Sequence, residues 1–205
     1  MFDTVRQRTG RVEFFGQPAA DGTWEINFNA LVGRLQAACD SGTPVTILGT
    51  AFSFVHLLDF LAEKNLQIHL PENSQAMETG GYKNRSRIMP KAELHSLIVR
   101  QLGVAPGHII CEYGMSELSS QAYDCGAARR SFYFPPWARV QIISPETGRE
   151  VADGETGLIR IFDLANAFSV AAIQTEDLGT RRGDGFELIG RAQLAEPRGC
   201  SLMTA

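Results

Sequence analysis

The sequence predicts an α/β protein: a partial, mostly parallel sheet with flanking helices, followed by a small antiparallel β subdomain. Three observations carry that expectation. Between residues 27 and 114, strand-length apolar runs alternate with segments whose apolar residues recur every three or four positions, the pattern of a parallel sheet covered by helices. After about residue 130 the helical period disappears, and alternating apolar positions are punctuated by Pro-Glu-Thr-Gly (145–148) and Asp-Gly (153–154) turns, as in antiparallel strands. The 205 residues are 44% hydrophobic and 20% charged, enough apolar material to bury a core.

Residues 1–23 mix aromatics with the turn formers Gly16, Pro18, Asp21 and Gly22, and predict a strand or two joined by turns. From Asn27 the spacing of Phe28, Leu31, Val32, Leu35 and Ala38, with Gly42 as a stop, predicts a helix over 27–40. "TPVTILGTA" (43–51) is a β-branched run of strand length, and Phe54, Leu57, Leu58 and Leu61 then mark a second helix. "LQIHL" (66–70) and "SQAMETGG" (74–81) predict further strand ends. Pro90 precedes a third helix over 91–102, with Leu94, Leu97 and Ile98 on one face, and "GHIICEYG" (107–114) reads as a short strand closing on a turn. A hairpin is expected in "RRGDGFELIGR" (181–191). Residues 1–130 are expected to form the α/β subdomain and 131–205 the β-rich one.

A net charge of −4 and a pI near 5.6 give no general attraction to nucleic acid or anionic membranes. No apolar stretch approaches the roughly 20 residues that cross a bilayer, and the N-terminal MFDTVRQRTGR lacks the apolar core of a secretory signal. A cytoplasmic protein with no nucleic-acid partner and no membrane span is therefore expected. The cysteines Cys39, Cys111, Cys125 and Cys200 have no C-x-x-C spacing, so neither a zinc site nor a disulfide framework is legible. Cys111, within an apolar strand, reads as core.

In a parallel α/β sheet, ligands sit at the carboxyl ends of the strands. Two turns fall there: "ETGGYKNRSR" (78–87) and "EYGMSE" (112–117). Gly80 and Gly81 allow a ligand to approach the backbone closely. Tyr113 offers a ring for a flat base, Ser116 a hydroxyl for a phosphate oxygen, and Glu117 a carboxylate suited to Mg²⁺. The plainer alternative is that Gly80 and Gly81 only turn the chain, while Ser116 and Glu117 cap the helix or turn that begins there. Lys83, Arg85 and Arg87 fit a solvated basic face better than a phosphate contact.

The order of several motifs favours the ligand reading. "YGMSE", then about forty residues on "DGETGLIRI", then "IQTEDLG" and "DGFELIGR" resemble the run found in the acyl-adenylate-forming superfamily. Within it, "METGGYKNRSR", "CEYGMSELSSQAYD" and "EPRGCSL" are most similar to acyl-protein synthetases of the LuxE type, over roughly residues 45–205. Such enzymes activate a fatty acid with ATP and Mg²⁺ to an acyl-adenylate and transfer the acyl group to their own cysteine, from which a partner acyl reductase takes it. The resemblance implies that Tyr113 and Gly114 line the adenine pocket, with Gly80 and Gly81 nearby, that Ser116 contacts the α-phosphate and that Glu117 holds magnesium. It implies also that Asp177 binds the ribose hydroxyls, Arg191 reaches ribose or phosphate, and Cys200 is the acyl acceptor. Taken singly, Asp177 and Arg191 would pass for strand-end residues and Cys200 for a surface thiol.

The sequence departs from the superfamily pattern in three places. No Ser/Thr/Gly-rich loop for the β- and γ-phosphates precedes the motifs, no lid with a catalytic lysine follows Arg191, and Thr175-Glu176-Asp177 stands for Thr-Gly-Asp. The resemblance therefore implies the C-terminal portion of a synthetase, with adenylation by this chain alone not expected. A phenylacetate-type acyl-CoA ligase and a non-catalytic nucleotide-binding module are the alternatives.

Overall fold

A computed structural model describes residues 12–19, 24–80, 89–124 and 130–192. Two short strands, β1 (Gly16–Pro18) and β2 (Trp24–Ile26), pair antiparallel and lead into α1 (Phe28–Ser41). The Asn27 side chain accepts from the Ala30 N–H at 3.0 Å, and Gly42 ends the helix in the left-handed region at φ 64°, where glycine carries no Cβ penalty. Val32, Leu35 and Ala38 form its buried stripe, as their spacing predicts.

Strand β3 (Thr46–Thr50) runs directly into α2 (Ala51–Glu63), whose N-cap Thr50 accepts from the Ser53 N–H. Phe54, Val55, Leu57, Leu58 and Leu61 are buried along α2, each contributing about 1.5–3 kcal/mol of transfer free energy. Strand β4 (Gln75–Thr79) follows, then α3 (Lys91–Leu102), which starts after Pro90 and stops at left-handed Gly103. Strand β5 (Ile109–Tyr113) completes the parallel part.

The expected strand end at 66–70 is not a strand. There the N–H groups of Ile68 and Leu70 donate to the carbonyls of Gln101 and Leu102, at 3.0 and 2.9 Å. The last carbonyls of α3 have no partner within the helix, and this segment satisfies them instead of joining the sheet.

Beyond β5 come β6 (Ala122–Asp124), β7 (Phe132–Tyr133), β8 (Ala138–Ile143), β9 (Thr156–Asp163), β10 (Ala172–Arg182) and β11 (Gly185–Arg191). They extend the same sheet in the order β3-β4-β5-β6-β7-β11-β10-β9-β8, with parallel pairing confined to β3, β4 and β5. The expected hairpin closes through Gly183, at φ 59°, between paired Arg182 and Gly185. The α/β class holds, and the antiparallel part continues the sheet edge-on. Strand β5 is the junction, parallel to β4 on one side and antiparallel to β6 on the other. One buried cluster fills the space between the helices and β3–β5, and a second, built on Cys111, Tyr113, Phe132, Ile159, Ile161 and Phe186, lies under the antiparallel strands.

Candidate functional site

Strand β5 delivers Tyr113 to the seam between the two clusters. Its ring is only 7% exposed and packs against Phe132, Phe134 and Phe186, with centroid distances of 6.1, 6.4 and 5.2 Å. The hydroxyl is the part of Tyr113 that meets other predicted site residues: it donates to Oδ2 of Asp177 at 2.9 Å. Burial, reinforced by the Asp177 carboxylate, pushes the phenol up, so it remains a donor at any physiological pH.

Asp177 reaches Tyr113 because β10 breaks register there. Pairing with β9 shifts between Gln174 and Leu178, and pairing with β11 shifts between Leu178 and Gly179. The Thr175 hydroxyl donates to the Ile159 carbonyl at 2.8 Å and accepts from the Asp177 N–H at 3.1 Å, filling the hydrogen bonds that the ladder leaves open. Asp177 faces Arg191 in the β10–β11 register, with Nε 3.6 Å from Oδ1, while Nη2 of Arg191 lies 3.2 Å from Glu176. Three residues singled out from separate motifs, Tyr113, Asp177 and Arg191, thus form one connected group.

The turn after Tyr113 is a β-turn, closed by the Leu118 N–H on the Met115 carbonyl at 3.1 Å; no helix begins there. Ser116 and Glu117 are exposed at its tip, and the serine hydroxyl donates to the glutamate at 3.2 Å. An exposed carboxylate beside a hydroxyl suits a hard cation such as Mg²⁺. A Cβ at Gly114 would lie 2.5 Å from Glu112 Oε1 and 3.0 Å from Gln121 Cγ, so a larger residue would push against both. Glu112 is itself held by the Thr79 hydroxyl at the end of β4. Gly80 follows at φ 66°, and a Cβ there would meet nothing within 4 Å among the described residues, so its glycine serves the backbone conformation. Gly81, Lys83, Arg85, Arg87, Cys125 and Cys200 lie outside the described residues.

Two residues that sequence reasoning missed hold the turn from below. Asp163, at the end of β9 and 0% exposed, accepts from the N–H groups of Ser119 and Ser120 with Oδ2, and from the Ser120 hydroxyl and the Ala165 N–H with Oδ1, all at 2.8–3.0 Å. Burial pushes its carboxyl up, but these four bonds outweigh it and hold it below the ordinary value. Asn166 donates to the Glu117 carbonyl at 2.7 Å and accepts from the Ser119 hydroxyl at 3.0 Å. In "DLAN" these residues look like ordinary turn formers, and no local signal separates them from that role. Cys111 is fully buried, as expected of a core residue, and burial together with the neighbouring Glu78 carboxylate pushes its thiol up.

Among the described residues no helix is long and apolar enough to cross a membrane. Comparison with known proteins bears on the fold and the family. A long-chain-fatty-acid--luciferin-component ligase of Aliivibrio fischeri is 26% identical over 193 residues, covering 88% of this chain and 50% of the relative. Its counterpart in Vibrio harveyi is 20% identical, covering 87% and 49%. The chain thus spans about half the length of these curated relatives. Among solved structures, ATP-bound MatB from Rhodopseudomonas palustris superposes with a TM-score of 0.58 at 15% identity, covering 82% of this chain and 33% of that one. A long-chain-fatty-acid-CoA ligase, FadD1 from Archaeoglobus fulgidus, gives 0.56 at 14% identity, covering 82% and 37%. These similarities show a shared fold. The family described as "Acyl-protein synthetase, LuxE" matches residues 17–205, and the chain belongs to it.

Proposed function

We propose that this chain carries the adenylate-binding portion of an ATP-dependent acyl-protein synthetase acting on a long-chain fatty acid. The observation that carries the reading is the Tyr113–Asp177–Arg191 group, which joins the end of β5 to the β10–β11 hairpin across 64 residues. Family membership and the names of the curated relatives support it.

Asp177 accepts hydrogen bonds from both ribose hydroxyls, as an ionised carboxylate can. Arg191 presents a fixed fork of donors to ribose or phosphate. Gly114 bounds the base while Tyr113, its ring packed among three phenylalanines, holds Asp177 in place from behind. Gly80 and Gly81 admit the nucleotide to the backbone, and Ser116 contacts the α-phosphate. Glu117 holds Mg²⁺, which offsets phosphate charge when bound. A carboxylate oxygen of the fatty acid attacks the α-phosphorus, the bond to the β-phosphate oxygen breaks and pyrophosphate leaves. The Cys200 thiolate then attacks the acyl carbonyl, AMP leaves, and the thioester is passed to an acyl reductase.

The test is incubation of the purified chain with preformed radiolabelled acyl-adenylate, with and without coenzyme A, so that no adenylation by this chain is needed, read as hydroxylamine-sensitive label on the protein, beside calorimetry with an acyl-adenylate mimic. Label lost in Cys200→Ser supports the full reading. Mimic binding without label reduces it to a nucleotide-binding module. Acyl-CoA formation that survives Cys200→Ser moves the chain to the CoA ligases, and absence of any binding overturns the site.

A further inference from the structure

Directly behind the turn, β4, β5 and α3 bring together three buried side chains that the proposed reaction does not use. Glu78 is 1% exposed, His95 6% and Cys111 0%. Sγ of Cys111 lies 3.0 Å from Oε1 of Glu78 and 3.8 Å from Nε2 of His95, and that nitrogen lies 3.5 Å from the same glutamate oxygen. A tetrahedral zinc ion, with bonds of about 2.3 Å to sulfur and about 2.0–2.2 Å to nitrogen and oxygen, requires its donors about 3.4–3.6 Å apart. The N···O edge matches, the S···N edge is about 0.2 Å long and the S···O edge about 0.5 Å short, so the glutamate oxygen must back away slightly on binding, and this is the group of potential metal ligands found among the described residues.

We propose that Glu78, His95 and Cys111 form a binding site for a zinc-class divalent cation that ties α3 to β4 and β5 just behind Tyr113. The donor chemistry selects the ion: one sulfur, one imidazole nitrogen and one carboxylate oxygen suit a borderline-soft metal and not magnesium. All three ligands come from regular elements, not loops, so the site is preorganised. Charge also balances. As the structure stands, Glu78 is neutralised by Lys91, whose Nζ lies 2.9 Å from Oε1. Lys91 opens α3 and its side chain is 44% exposed, so it can swing into solvent as the ion enters. On binding, the Cys111 S–H bond breaks, its proton goes to solvent, and the dication is matched by one carboxylate and one thiolate. Arg130, 3.5 Å from Sγ, stays where it is because Asp124 pairs with it at 2.7 Å.

The chain, stripped with a chelator and then given zinc or cobalt alone, tests the site. One equivalent of zinc retained after dialysis is expected, with a rise in melting temperature, and cobalt should give tetrahedral bands together with a thiolate charge-transfer band. A chain carrying Cys39→Ser, Cys125→Ser and Cys200→Ser should behave the same way, whereas Cys111→Ser and His95→Gln should lose the charge-transfer band and bind zinc at least tenfold more weakly, a loss of about 1.4 kcal/mol or more. X-ray absorption of the zinc-loaded parent chain requires no variant to fold. A single sulfur at about 2.3 Å with nitrogen and oxygen at about 2.0–2.2 Å is the expected shell. Substoichiometric zinc in the parent, a shell without sulfur or with several sulfurs, or a charge-transfer band that persists in Cys111→Ser would each overturn the proposal.

Discussion

The Tyr113 hydroxyl donates to Oδ2 of Asp177 at 2.9 Å, and the same carboxylate meets Nε of Arg191 at 3.6 Å on the far side. Three strands are fixed by this contact: β5 through the tyrosine, β10 through the aspartate and β11 through the arginine. It depends on the register break at Gln174–Gly179, because an unbroken ladder would not leave Asp177 its own N–H bond to Thr175. The turn and the hairpin therefore hold a fixed separation, which a site gripping one ligand from both sides requires.

Tyr113→Phe keeps the aromatic packing and removes only the hydrogen bond. Asp177 is 21% exposed, so water replaces part of what is lost. The expected cost is about 1 kcal/mol, read from the urea midpoint with an unchanged slope. Tyr113→Leu also loses the contacts to Phe132, Phe134 and Phe186, and should cost about 3 kcal/mol. Equal losses in the two variants would mean that the hydroxyl bond, not the ring, dominates.

Asp177→Ala separates ligand binding from stability. The side chain accepts from the largely buried Tyr113 hydroxyl and pairs with Arg191, so its loss should cost folding about 1–3 kcal/mol, a cost measured separately by urea unfolding. ATP affinity by calorimetry should fall about 10- to 100-fold, the worth of one to two hydrogen bonds to a charged acceptor. Unchanged ATP affinity would remove Asp177 from the nucleotide site.

How much of this was legible in the sequence depends on the range of the interaction. Helix α3 was readable to the residue because Pro90 and Gly103 bound it and Leu94 and Ile98 keep its period. Segment 66–70 has the composition of a strand, but its fate was decided by two helix carbonyls about thirty residues downstream. Strand β6 is three residues long and has no period to detect. Tyr113, Asp177 and Arg191 were each marked by a local motif, and the structure supplied their contact. Asp163 carries no mark, since an aspartate after a strand is common and only the fold shows four donors converging on it. The Glu78, His95 and Cys111 group is invisible for the same reason: its members come from three elements with no ligand spacing among them.

Gly185→Ala tests the pairing that seats Phe186 against Tyr113. A Cβ there would lie 2.6 Å from the Phe132 carbonyl oxygen and 2.8 Å from a Tyr133 ring carbon. The carbonyl belongs to the backbone, and the Phe186–Phe132 pair is the one that joins β7 to β11, so relief would require parting the two strands. A loss of about 1–3 kcal/mol in thermal unfolding is expected, with a weakened near-ultraviolet circular dichroism signal from the aromatic cluster. A variant as stable as the parent, with its aromatic signal intact, would show that this part of the sheet yields easily.

Asp163→Asn probes the support beneath the turn. Each carboxylate oxygen of Asp163 accepts two hydrogen bonds, and an amide can accept only through its oxygen. Either orientation of the asparagine sets its NH₂ against two donors, at least one of them a main-chain N–H. In a fully buried position the loss should be about 2–4 kcal/mol. It should also be pH-dependent. The folded-state carboxyl is held below its ordinary value, so the stability it provides is fully present above the unfolded-chain value, about 4, and is lost as pH falls through the lower folded value. Urea midpoints of parent and variant should therefore differ by a constant amount from neutral pH down to about 5 and converge below about 4, as the parent protonates and the variant does not. A gap that stays constant through that acid range would show that Asp163 contributes through shape alone, without its charge.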